Sequence, residues 1–127
     1  SRAELANEKN ADLFVSVQYN SAPAKKAEGI EIFYYKSDDD KTRTQESKKL
    51  ASAVLAKVVK ITDAKSRGVK QGNFAVIRET KMPAILIEGG FLSNEGEMEK
   101  IKDPAYVKSI AWGIAQGIQS YMDGKPK

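Results

Sequence analysis

Two apolar runs in this chain end on polar groups that could do chemistry. In LFVSVQYNS, Leu13 to Val17 suit a buried strand, and the sequence then turns abruptly polar at Gln18, Tyr19, Asn20 and Ser21. In AILIEGG, Glu88 closes the most apolar run of the chain and is followed at once by Gly89 and Gly90. A carboxylate in that place is partly desolvated, which raises its pKa toward the range where it can take and return protons, and the glycines would let a substrate backbone approach. A plainer reading stays open, in which Glu88 forms a salt bridge or caps a loop. Gln18 reads either as a neutral amide bonding strand-end backbone or as a site residue. It has the reach of a histidine, but its amide oxygen carries no full charge and is a weak zinc ligand. Asn20 and Ser21 could bind a substrate amide or shape a turn; Arg78 could hold a carboxylate or sit solvated at a strand end.

Composition narrows the chemistry. The 127 residues include no histidine and no cysteine, so there is no imidazole, no thiolate nucleophile and no usual nitrogen or sulfur ligand for zinc. Any acid or base must be a carboxylate, a lysine or a tyrosine. The net charge of +4 favours anionic partners such as nucleic acid, anionic membrane surfaces or a bacterial wall. The basic residues are nevertheless spread among acids and apolar residues, without aromatic interleaving, and no nucleic-acid binding is expected. Apolar runs of about six residues are far too short to span a bilayer, so no transmembrane segment is expected, and no signal peptide is legible in SRAELANEKN. GVKQGNF lacks the lysine and the following helix of a phosphate loop. Tyr34, Tyr35 and Trp112 read as packing or interface residues.

These residues must be positioned by alternating strands and helices. Arg2 to Asn10 reads as a helix with Leu5 and Ala6 on its apolar side, and Leu13 to Val17 as an interior parallel strand. Gly29 to Tyr35 reads as a strand whose Glu31 reaches water near its start. The recurrence of Leu50, Val54, Leu55, Val58 and Ile61 predicts a helix from about Thr44 to Ile61. A loop with Gly68 and Gly72 is expected ahead of a strand at Phe74 to Ile77, and Ala84 to Glu88 should be the central strand. Asn94 and Glu97 form a capping pair for a short helix with Met98 and Ile101 inward. Asp103 and Pro104 open a last helix whose stripe runs through Val107, Ile110, Ala111, Ile114, Ile118 and Tyr121. The expected fold is α/β, a three-layer sandwich-like domain with a mostly parallel mixed sheet flanked by helices, formed by residues 1–127 as a single domain. Such sheets present functional groups at the carboxyl ends of their strands, where Gln18 and Glu88 both fall.

The strings ADLFVSVQYNSA, RGVK followed by NFAVIR, and MPAILIEGGFLSN, in that order, resemble the zinc-dependent N-acetylmuramoyl-L-alanine amidases of bacterial cell walls. The resemblance runs from Arg2 to about Tyr121. It implies cleavage of the amide that joins the lactyl group of N-acetylmuramic acid to the L-alanine of the stem peptide, with peptidoglycan as partner and the bacterial cell wall or exterior as setting. It places Glu88 on the family's catalytic glutamate, and Asn20 and Ser21 on the end of the S-I-H-x-N-S motif. Gln18 falls where that motif carries a zinc-binding histidine. The family's first histidine and metal-binding glutamate precede the part matched here, so the chain reads as the C-terminal part of the catalytic domain, N-terminally incomplete relative to the family. No zinc is expected on this chain by itself. Two readings follow, an amidase domain whose own activity is doubtful, or a catalytically inactive peptidoglycan-binding or regulatory module. The missing elements would leave unpaired sheet edges, for which a homodimer, a swapped assembly or cover by the first helix is expected.

Overall fold

Burial explains the course of the chain better than local propensity does. The computed structural model describes residues 1–20 and 27–125. It has strands β1 (Phe14–Asn20), β2 (Ile30–Tyr34), β3 (Ser66–Gln71) and β4 (Ala84–Phe91), and helices α1 (Arg2–Glu8), α2 (Lys41–Thr62), α3 (Ala75–Arg78), α4 (Glu95–Lys102) and α5 (Pro104–Asp123). Ser21 and the loop around Pro23 lie outside the described residues. The strands form one sheet in the order β1-β4-β2-β3; β1 with β4 and β2 with β3 are parallel, and β2 with β4 is antiparallel. The fold is thus an α/β domain with a mostly parallel mixed sheet and flanking helices. Every residue of β4 is buried, as its unbroken apolar run requires of an inner strand.

Strand alternation divides the core in two. Ile30 and Ile32 of β2 and Ile85 and Ile87 of β4 point to one face, where Leu50, Val54 and Val58 of α2 and Tyr121 of α5 cover them. Ala84 and Leu86 point to the other face with Ile77 of α3, and Phe14 and Phe33 pack beside them. Glu88 and Gln18 share the parity of Leu86 and therefore belong to this second face. There α1 is tied to the segment ahead of β4 by Asn7, which donates to the Glu79 carbonyl and accepts from the Lys81 N–H, both at 2.9 Å. Arg2 reaches from the same helix to the Ser16 hydroxyl of β1 at 3.2 Å.

Several local expectations are corrected. The strand expected at Phe74 to Ile77 is the short helix α3; Phe74 is its extended N-cap, and Ile77 is fully buried. The third strand is instead Ser66–Gln71, a half-exposed edge strand in which Gly68 takes φ +88° at a register shift against β2. β1 is an edge strand among the described residues rather than an interior one, and it runs on through Gln18 to Asn20. In α1 it is Ala3 that is buried while Leu5 is exposed, and in α4 it is Glu97 that is buried while Met98 is exposed. Val107 and Ala111 fall on the outer side of α5. Asn94 and Asp103 do cap α4 and α5, accepting from the N–H groups of Glu97 and Ala105.

The α2–α5 contact depends on two residues without side chains. A Cβ at Gly117 would lie 2.4 Å from the Val54 Cα, and one at Gly113 would lie 2.8 Å from the Val58 Cα. The absent side chains let the two helix backbones come together over the sheet. On an exposed helix Gly→Ala would stabilise by about 1 kcal/mol. Here Gly117→Ala is expected to destabilise by roughly 1–3 kcal/mol through overpacking, measured by urea unfolding. An unchanged or higher midpoint would contradict this packing.

Candidate active site at the β1–β4 strand ends

The parallel register pairs Gln18 with Glu88, and the antiparallel register pairs Glu31 with Glu88. Three polar side chains from three neighbouring strands therefore stand in a row on one face of the sheet. Directly beyond Glu88 the β1–β4 register slips: Gln18 faces Glu88, but Asn20 faces Phe91. One more residue is used on β4 than on β1, and Gly89 and Gly90 absorb the bulge. Gly90 takes φ +149°, a conformation that L side chains rarely adopt, and a Cβ at Gly89 would lie 2.7 Å from the Tyr19 ring. The bulge redirects a backbone donor. The Asn20 N–H bonds to Oε1 of Glu88 at 2.7 Å.

Glu88 is only 2 % exposed, and among the described residues its Oε2 has no hydrogen-bond partner of good geometry. Burial pushes its carboxyl above the ordinary glutamate value, and the charge of Glu31 adds to this; the backbone N–H groups of Asn20 and Gly90 and the Gln18 amide offset part of it. Tyr19 is shifted upward as well, by burial first and then by the Glu88 charge. Glu31 differs in kind, being held by Lys70 at 2.5 Å and Arg67 at 3.4 Å. It was expected to reach water, yet it is buried under those two cations from β3. Arg67 in turn lies over the Phe91 ring at 4.9 Å. The arrangement is an acid whose free oxygen can donate a proton to a heteroatom and recover it.

The structure makes Gln18 and Glu88 neighbours, as their two strand ends suggested, and places Glu31, Lys70, Arg67 and Tyr19 around them. Asn20 joins the site through its backbone, while its side chain is exposed. Arg78 is not brought there. It ends α3, close to the start of β4, and donates to Asn73 at 2.7 Å. Glu97 gives a second buried carboxylate, bonded to the Gly29 N–H, with its Oε2 3.7 Å from where a Gly90 Cβ would be. Its place after the Asn94 cap hid that role.

The donor set does not fit zinc. Among the described residues no group of three or more His, Cys, Asp or Glu side chains could hold a metal ion. Gln18 offers an uncharged amide, Glu31 is already neutralised by two cations, and Glu88 has one oxygen committed to Asn20.

The raised Glu88 carboxyl has a consequence for stability. Between the ordinary glutamate value and its own raised value, the folded chain binds a proton that the unfolded chain has lost, so stability falls as pH rises through that window. Glu88→Gln lacks this slope. It is expected to match the parent chain at pH values below the window and to be more stable by about 1 kcal/mol or more above it, the cost of a buried unpartnered oxygen. Urea unfolding of both chains across that range checks this; parallel pH profiles would contradict it.

The sequence profile of the N-acetylmuramoyl-L-alanine amidases matches residues 1–120. The chain is 37 % identical over 117 residues to the N-acetylmuramoyl-L-alanine amidase CwlM of Bacillus licheniformis, covering 92 % of this chain and 43 % of that protein. It is 35 % identical over 126 residues to the endolysin of Bacillus phage SPP1, covering 99 % of this chain and 46 % of the endolysin. It thus spans less than half the length of these two curated relatives. Among solved structures it superposes on an N-acetylmuramoyl-L-alanine amidase from Clostridium difficile 630 with a TM-score of 0.88 and 41 % identity, covering 98 % of this chain and 65 % of that one. On the catalytic domain of CwlV from Paenibacillus polymyxa the TM-score is 0.84 with 36 % identity, covering 97 % of this chain and 64 % of that one. The glutamate at the end of an inner strand and the matched sequence around it have one common explanation: the chain belongs to the N-acetylmuramoyl-L-alanine amidase family.

Proposed function

We propose that this chain is the peptidoglycan-recognising part of a muramoyl-L-alanine amidase domain, with Glu88 as the proton-handling group at the scissile amide. By itself it binds that amide without cleaving it. The observation that carries the reading is the Gln18–Glu88 register pair, which puts a buried acid with one free oxygen beside a neutral amide at the strand ends. In the protonated state favoured by burial, Oε2 of Glu88 donates to the carbonyl oxygen of the muramoyl–alanine amide. The Gln18 side chain has both a donor and an acceptor, so it can bond the same amide group. The exposed side chain of Asn20 supplies a further amide at the rim.

Zinc is the cofactor of the family and, when bound, acidifies a water and polarises the carbonyl. Gln18 and Glu88 do not form a site for it, and for that reason hydrolysis is not assigned to these residues alone. Glu88 without an activated water can hold a substrate carbonyl but has no nucleophile to direct. Peptidoglycan binding and the cell-wall setting of this chain follow in this reading from its family and from the cell-wall amidases among its relatives.

The test has two arms. In sedimentation with insoluble peptidoglycan, the chain is expected to be retained below the raised pKa of Glu88 and progressively released above it, while Glu88→Gln is retained without that pH dependence. Asn20→Ala should weaken retention by about fivefold, the value of one hydrogen bond, and Arg78→Ala should leave it unchanged. Retention that ignores Glu88 and Asn20 and falls only with salt would reduce the reading to attraction between a basic protein and an anionic wall. In the second arm, release of stem peptide is followed with zinc added. None is expected from the native chain, and release by it would overturn the assignment of a binding role.

A further inference from the structure

A cavity unrelated to the Glu88 site lies on the opposite face of the sheet, over α2 and α5. It is an open groove of about 570 Å³ along the outer seam of α2 and α5, a size suited to a small ligand. Trp112 forms one wall and is 59 % exposed, so of the core or interface packing expected from the sequence, the core reading does not hold for its indole. Trp112, Gln116, Gln119 and Asp123 follow at helical spacing and share one face of α5, with Ser120 beside them and Lys57 opposite on α2. Gln119 donates to the Asp123 carboxylate at 2.8 Å, which fixes the orientation of its amide. Ala115 also lines the groove.

The lining chemistry selects the occupant. A protein interface core gathers several aromatic and aliphatic side chains. Here a single aromatic plane is surrounded by two amides, a hydroxyl and one ion of each sign. Those two charges cancel, so the groove is electrically neutral on a chain of net charge +4 and offers an anionic polymer no excess of positive charge. A flat apolar plate ringed by neutral hydrogen-bonding groups complements a neutral pyranose ring, whose C–H face stacks on the indole while its hydroxyl and acetamido groups bond the amides. We infer that the α2–α5 groove is a second binding site, taking N-acetylated pyranose rings of a glycan strand on Trp112, Gln116 and Gln119. It would hold the sugar backbone of the wall independently of the Glu88 site, whose reading concerns the peptide junction.

Trp112 is the only tryptophan of the chain, so its intrinsic fluorescence reports on this groove alone. The probes are the β-1,4-linked tetramer of N-acetylglucosamine and a sugar-free stem peptide. The tetramer is expected to shift the emission to shorter wavelength with saturation at about 1 mM, while the stem peptide causes no shift. Gln116→Ala and Gln119→Ala should each weaken the tetramer by about fivefold. Trp112→Ala, at an exposed position where the fold is expected to persist by circular dichroism, should lower retention on peptide-stripped glycan by about tenfold. Glu88→Gln should titrate like the native chain, so failure of the Glu88 reading leaves this one standing. No spectral response to the tetramer, an equal response to the stem peptide, or a response that tracks protein concentration and so reports a second copy in the groove would each overturn the inference.

Discussion

The parallel pairing of β1 with β4 is the constraint on which the site depends. It places Gln18 across from Glu88 and supplies the Asn20 N–H that holds Oε1 of Glu88 at 2.7 Å. The antiparallel neighbour β2 then brings Glu31 to the other side of the same carboxylate. An acid so enclosed cannot ionise as cheaply as one in water. Lys70 and Arg67 sit on Glu31 instead, and among the described residues Oε2 of Glu88 has no hydrogen-bond partner of good geometry, while burial raises its pKa.

The fold of the family and its metal chemistry make separate demands on a chain. The fold needs the apolar run of β4, the glycine bulge that follows, and the close approach of α5 to α2 at Gly113 and Gly117, and all of these are present. The metal chemistry needs imidazoles or a cluster of free carboxylates, and neither is formed among the described residues. Gln18 offers an uncharged amide there, without the basic nitrogen of an imidazole. Beside it stands a carboxyl that burial holds above the ordinary glutamate range.

The sequence was most legible where a single element carried its own signal. β4 was recognisable because four apolar residues ended in Glu88-Gly-Gly, and the starts of α4 and α5 because Asn94, Asp103 and Pro104 are local capping signals. β3 was hidden because SRGVKQ is a half-exposed edge strand with a glycine, which reads as a loop. Phe74 to Ile77 misled in the opposite direction, since four apolar residues fit a buried strand or one turn of buried helix equally well. The burial of Glu31 rests on Lys70 and Arg67, more than thirty residues away, and no local pattern announces such a pairing. Gly113 and Gly117 gave no apolar signal in the stripe of α5, although they mark its closest contact. The pairing of Gln18 with Glu88 could be suspected from two strand ends, but only the register shows that they are neighbours.

The claim beneath this account is that Glu88 remains protonated to higher pH than an ordinary glutamate because the sheet buries it. Side-chain carboxyl carbon-13 resonances of a glutamate-labelled chain, followed through a pH titration and assigned by comparison with Glu88→Gln, measure this directly. The account requires the resonance lost in Glu88→Gln to titrate above the solvent-exposed glutamates of the chain. A Glu88 resonance that moves together with those exposed glutamates would contradict it.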